Sequence, residues 1–153
     1  MVQDLLRKAA FCALPAMLCL CARAEPAPYS SGLVFLSMDK YDIALRFFEQ
    51  AVKENPKDAR AWFQAGFCMG KLGETEAKLR AYRKAIELDP KYADAHYSLG
   101  ISLLLAGYKC DAVHEIRELQ MLDPALAEKL RQLMNAMAGP DECAAAPPAQ
   151  RTI

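Results

Sequence analysis

Three prolines, Pro56, Pro90 and Pro124, stand 34 residues apart, and three glycines, Gly32, Gly66 and Gly100, keep the same interval. Most of the chain is therefore one supersecondary unit written three times. A unit of this size cannot bury its apolar face alone, so the copies must stack, and the expected architecture is a short solenoid rather than a closed globule. The 153 residues, 54% hydrophobic and 25% charged, suffice for one folded domain.

The middle copy shows the unit most plainly. AWFQAGFCMGKLG is followed by ETEAKLRAYRKAIELDP, two amphipathic segments of about four helical turns each, joined around Gly73. Trp62, Ala65 and Met69 share one face of the first segment, Gly66 permits close approach of the second, and Ala81, Tyr82 and Ala85 face back. Pro90 cannot continue a helix, and Asp89 before it is pushed away from the α region, so the second helix stops there. The third copy repeats the plan with His96, Leu99, Gly100, Leu103, Gly107, Ala112, Ile116, Leu119 and Pro124. The first keeps Gly32, Phe35, Tyr41, Ala44, Phe48, Ala51 and Pro56, but its opening helix must begin near Pro28 and is short, because prolines fit only the first turn.

A large residue, a small one, an aromatic, a glycine turn, alanine, an aromatic, alanine and a final proline, in three in-phase copies from Glu25 to Leu122, resemble the tetratricopeptide repeat. The resemblance implies an all-α, right-handed superhelix of helix pairs over 25–58, 59–92 and 93–124, whose first helices line a concave groove. Two residues depart from the pattern. Lys78 stands where a small residue is wanted, so the middle pair must splay or the lysine stem must run out to water, and His96 replaces the large apolar residue that Trp62 supplies. Beyond Pro124, ALAEKLRQLMNAM places Leu126, Leu130, Leu133 and Met137 on one stripe, with Asp123 as N-cap and Gly139 and Pro140 as a stop. This reads as a seventh helix, over 125–138, capping the stack. The tail over 139–153 carries too little apolar bulk to fold and is expected to be disordered.

At the other end, Arg7 and Lys8, the apolar run Ala9 to Cys21, and the small-x-small triplet Ala22, Arg23, Ala24 read as an export signal over 1–24, cleaved after Ala24. The run is too short for a bilayer span and Pro15 interrupts it, so no stable membrane span is expected in the mature chain. The expected location is periplasmic or secreted, the alternative being a leader kept as an anchor. Charges balance at 19 basic and 19 acidic over the whole chain, and the mature part holds 16 and 18, which gives nucleic acid no clustered basic surface to bind.

Of six cysteines, Cys68, Cys110 and Cys143 survive removal of the leader. In the superhelix that the resemblance implies, the last pair's second helix starts at the end of the solenoid where the capping helix finishes. Cys110 and Cys143 are therefore a candidate disulfide, closing a loop of about 32 residues and contributing about 3 to 4 kcal/mol if unstrained, with free thiols as the alternative. Cys68 fits a small packed slot. Cys110 and His114, at i and i+4, would need Cys143 as a third ligand before they resembled a metal site.

The groove that the resemblance implies is apolar. Tyr29, Leu33 and Leu36 in the first copy, Phe63 and Phe67 in the second, and Tyr97, Ile101 and Leu104 in the third fall on matching positions. Relatives that grip acidic C-terminal tails use Lys and Asn along this groove, so that specificity does not carry over to these residues. Arg60, Gln64 and Lys71 are the nearest polar side chains. No Ser, His and acid grouping, carboxylate pair or Gly-rich phosphate loop suggests an enzyme or a cofactor. The expectation is a non-catalytic adaptor whose partner is an apolar or amphipathic peptide segment of another protein. Its rivals are a self-associating structural homo-oligomer, a cytosolic secretion-chaperone-like protein if the leader is kept, and a redox or metal protein built on Cys110, His114 and Cys143.

Overall fold

The computed structural model describes residues 27–138. Among them are seven helices and no strand: α1 (Pro28–Ser37), α2 (Tyr41–Glu54), α3 (Ala59–Lys71), α4 (Thr75–Leu88), α5 (Ala93–Leu105), α6 (Lys109–Leu122) and α7 (Pro124–Ala138). The leader and the tail lie outside the described residues. Three helix pairs, α1–α2, α3–α4 and α5–α6, stack in chain order, and α7 packs on both α5 and α6. As the prolines require, α1 starts at Pro28 and has 10 residues, against 13 in α3 and α5.

The same punctuation recurs between pairs. Asn55, Asp89 and Asp123 end α2, α4 and α6 in extended backbone, each immediately before a proline. Their side-chain oxygens accept from Lys57, Lys91 and Ala125 backbone N–H groups at 3.2, 3.1 and 3.0 Å, and Asp123 also takes the Leu126 N–H at 3.1 Å, capping α7. Within the pairs, Gly73 and Gly107 turn the chain at φ +84°, and Asp39, 34 residues before Gly73, does so at φ +56°. Asp39 thus occupies the glycine slot of the first copy, and its carboxylate accepts a hydrogen bond from the Tyr41 hydroxyl.

Close packing depends on notches at the periodic glycines. A Cβ at Gly32 would lie 2.7 Å from the Phe48 ring, and one at Gly66 would lie 2.9 Å from Tyr82. In the third pair the notch at Gly100 takes Leu130 of α7, because the side chain at the corresponding place in α6 is Ile116 rather than an aromatic ring. The capping stripe is therefore turned from the expected one. Ala127, Leu130 and Met134 are the buried residues, Leu126 and Leu133 flank them, and Met137 is 49% exposed. Lys78 resolves its conflict through Gly70: the lysine stem passes where a Cβ at Gly70 would stand 2.7 Å from Lys78 Cδ, so the chain exits without splaying the pair.

The core lies in two clusters. Ala44, Leu45, Phe48, Ala65 and Cys68 form the N-terminal one, and a larger one runs from Leu79 and Tyr82 through Leu99, Leu103, Ile116 and Leu119 to Leu130 and Met134.

Filling the middle notch is expected to be costly. Gly66→Ala should lower unfolding free energy by about 1 to 3 kcal/mol, and adding Tyr82→Leu should recover part of the loss, as measured by urea denaturation. At Asp39, the glycine variant is expected to be more stable than Asp39→Ala by about 1 kcal/mol, since only glycine adopts this backbone without strain.

Candidate functional site

The first helices of the three pairs present the residues expected along the groove, but not all equally. Leu33 is 38% exposed, and Tyr29, Leu36, Phe63, Phe67, Tyr97 and Ile101 are half-buried. Leu104 is corrected: it is 8% exposed within the larger core cluster and offers a ligand almost no surface. The third copy's first helix is apolar nearly all round because α6 and α7 cover much of it, which takes Leu104 into packing.

The half-buried rings are held by a second layer of rings behind them. Tyr29 meets Phe48 edge-on at 5.7 Å between centroids, and Phe67 meets Tyr41 at 6.3 Å. Phe63 packs between Tyr82 at 5.5 Å and Tyr92 at 5.0 Å, and burial pushes both tyrosine hydroxyls up to about 12. Two cations lie on these rings. The Arg60 guanidinium sits 5.4 Å from the Tyr29 centroid, and the Lys71 ammonium sits 5.4 Å from Phe67 and 5.8 Å from Tyr41. Arg60 is also oriented by Asp58, at 3.4 Å, whose carboxylate caps α3. Arg60, Phe63, Phe67 and Lys71 fall on one side of α3, so this helix carries two rings with a cation near either end. Arrangements of this kind can bind apolar side chains and select against ligand cations.

The two residues at the head of the second and third copies make the same bond. Trp62 Nε1 donates to the Pro56 carbonyl at 3.0 Å, and His96 Nε2 lies 3.1 Å from the Pro90 carbonyl, one period later. His96 thus replaces the tryptophan by keeping its N–H. Its other nitrogen, Nδ1, lies 2.7 Å from a carboxylate oxygen of Glu115 on α6, and both residues are buried, at 4% and 8% exposure. This partner was not legible beforehand. Sequence marked His96 as a departure from the large apolar residue at Trp62, and the one available signal for Glu115 was a charged residue on the apolar side of α6 beside Ile116.

Cys68 is fully buried and free, and burial pushes its thiol up to about 11. Cys110 is disulfide-bonded, which leaves no thiolate at that position for a metal; Cys143 lies outside the described residues. Among the described residues no group of three or more His, Cys, Asp or Glu side chains is placed to hold a metal ion. No helix among them is long and apolar enough to cross a membrane.

Family models described as TPR repeat and tetratricopeptide repeat match residues 71–107, 47–80 and 29–58, together running from 29 to 107. No curated protein sequence matches the chain. Solved structures with the same fold include the TPR2B domain of yeast Sti1 in its pHsp70 complex, 19% identical, with a TM-score of 0.64 over 69% of this chain and 89% of that one. The second TPR domain of human RPAP3, in complex with the HSP70 peptide SGPTIEEVD, is 18% identical, with a TM-score of 0.67 over 71% and 92%. YrrB, described as a TPR protein with an unusual peptide-binding site, is 26% identical, with a TM-score of 0.65 over 74% of this chain and 60% of YrrB.

The Cys68 environment gives a direct check on the packed face of α3. At pH 8 a thiol-alkylating reagent should leave Cys68 unmodified in the folded protein and label it fully in 8 M urea (about the usual denaturing range), as read by peptide mass mapping; labelling under native conditions would show that this face opens.

Proposed function

Because the chain belongs to the tetratricopeptide repeat family, we propose that it is a non-catalytic adaptor whose concave surface captures an apolar or amphipathic segment of another protein. The observation that carries this reading is the lane of Tyr29, Leu33, Phe63, Phe67, Tyr97 and Ile101, which keeps accessible apolar surface on the first helices while a second ring layer fixes its shape. Aromatic anchors that are already immobilised lose little freedom on binding, and a few such anchors supply most of an interface's affinity.

The Sti1 and RPAP3 structures contain Hsp70 partners, the RPAP3 one a peptide ending in Glu-Glu-Val-Asp. Tyr29, Leu33, Phe63, Phe67 and Tyr97 stand at the places where relatives that bind such tails carry Lys and Asn, so a different ligand is favoured here: aliphatic or aromatic side chains inserted between rings, with the Arg60 and Lys71 ends of α3 orienting the segment. Export fits the leader-like composition of residues 1–24 and a mature start at Glu25, and Cys143 is the proposed partner of Cys110 in an oxidising compartment.

A photoreactive phenylalanine analogue in place of Phe67 should cross-link a client in the native compartment, whereas the same analogue at Val34, away from the lane, should not. Phe67→Glu should weaken capture by at least about 2 kcal/mol with helix content unchanged by circular dichroism. Equal capture by both proteins would place the binding surface elsewhere. A protein that sediments as a dimer at micromolar concentration and crosslinks only to itself through the Phe67 analogue would instead support the self-association reading.

A further inference from the structure

Both nitrogens of His96 face acceptors. The Pro90 carbonyl at 3.1 Å can only accept, so Nε2 carries a proton. At 2.7 Å, Nδ1 and the Glu115 oxygen also need a proton between them, because two lone pairs do not approach so closely. The buried pair therefore holds one more proton than a neutral imidazole beside a carboxylate. The bond ties α5 to α6 across a separation of 19 residues, and through Nε2 it also ties α5 to the turn that leaves α4.

We propose that the His96–Glu115 pair is a proton-gated lock, which holds the third repeat and its capping helix together at low pH and releases them as the pH rises. Burial pulls the His96 pKa down, but the hydrogen bonds to Glu115 and Pro90 and the charges of Glu115 and Glu118 outweigh it and lift the ring above its ordinary value. A group held protonated by the fold contributes stability that is fully present below its unfolded pKa and is lost as the pH climbs through the folded one. The surroundings leave the pair accessible to solvent protons. Glu115 borders an open cavity of about 300 Å³ between α4 and α6, floored by Ile86, Leu99 and Leu103, with Arg83, Asp111 and His114 around it. From α7 the neighbour at this level is apolar: Leu130, seated over Gly100, which Glu115 Cβ borders from α6.

Loss of one proton leaves the ring a single N–H for two acceptors, so either the Glu115 or the Pro90 contact then faces a lone pair and must open or take up water. Because α7 packs on both α5 and α6, and Leu130 of α7 fills the notch at Gly100 on α5, opening of the α5–α6 contact reaches α7 as well. Tyr97 and Ile101, one and five residues along α5 from His96, are carried by the same helix.

The test uses the full chain. The His96 ring resonance, followed by NMR, should titrate at a higher pH in the folded protein than in the chain unfolded by urea, and hydrogen-exchange protection of α6 and α7 should fall relative to α1–α3 between pH 6 and pH 9. The fall should be about tenfold for each pKa unit by which the fold lifts His96. His96→Trp, which reproduces the Trp62 arrangement, and Glu115→Gln should each abolish the difference between the two halves. A His96 titration at or below that of the urea-unfolded chain, or an equal pH dependence of protection in both halves, would overturn the proposal. The ring titration is read on the unaltered protein and so decides the matter even if both variants unfold.

Discussion

The close approach of helices at Gly32, Gly66 and Gly100 is the constraint from which the rest follows. Each glycine is a notch with no room for a Cβ, and each receives one bulky side chain: Phe48, Tyr82 and Leu130. The rings that fill the first two notches also support rings on the first helices, Phe48 against Tyr29 and Tyr82 against Phe63. Packing within a pair and placement of the first-helix rings are thus performed by the same atoms. In the third pair the filler comes from the capping helix, so the cap completes the last repeat rather than merely shielding it.

Helix order, the short first helix, the proline-terminated second helices and the Asp123 cap were all legible, because each is dictated by backbone chemistry at one or two residues. The turn at Asp39 was legible in principle and missed: stepping back 34 residues from Gly73 reaches it, but aspartate does not announce a left-handed backbone as glycine does. Of the groove positions, Leu104 was misassigned because helical periodicity gives the direction of a side chain and not what lies opposite it. The capping stripe was turned for a related reason. Four leucine and methionine residues at suitable spacing define an apolar side, while the notch at Gly100 decides which of them enters.

His96 illustrates how a departure from a repeat can conserve its physics. The tryptophan at the same place in the preceding copy contributes bulk and one N–H to a proline carbonyl. The histidine keeps the N–H and exchanges bulk for a second polar contact, which obliges α6 to bury a carboxylate. What looks like a weak substitution in a list of residue types is therefore a paired change spread over two helices, invisible to any pattern that treats positions singly.

The unequal division of the core has a consequence for how the molecule comes apart. With nearest-neighbour coupling only, each pair is as durable as its own contacts and those with the adjoining pair. The first pair combines the shortest helix with the smaller cluster, whereas the last is backed by α7. Fraying in the native state should accordingly begin at the amino end of the stack, where the fewest contacts hold a pair in place.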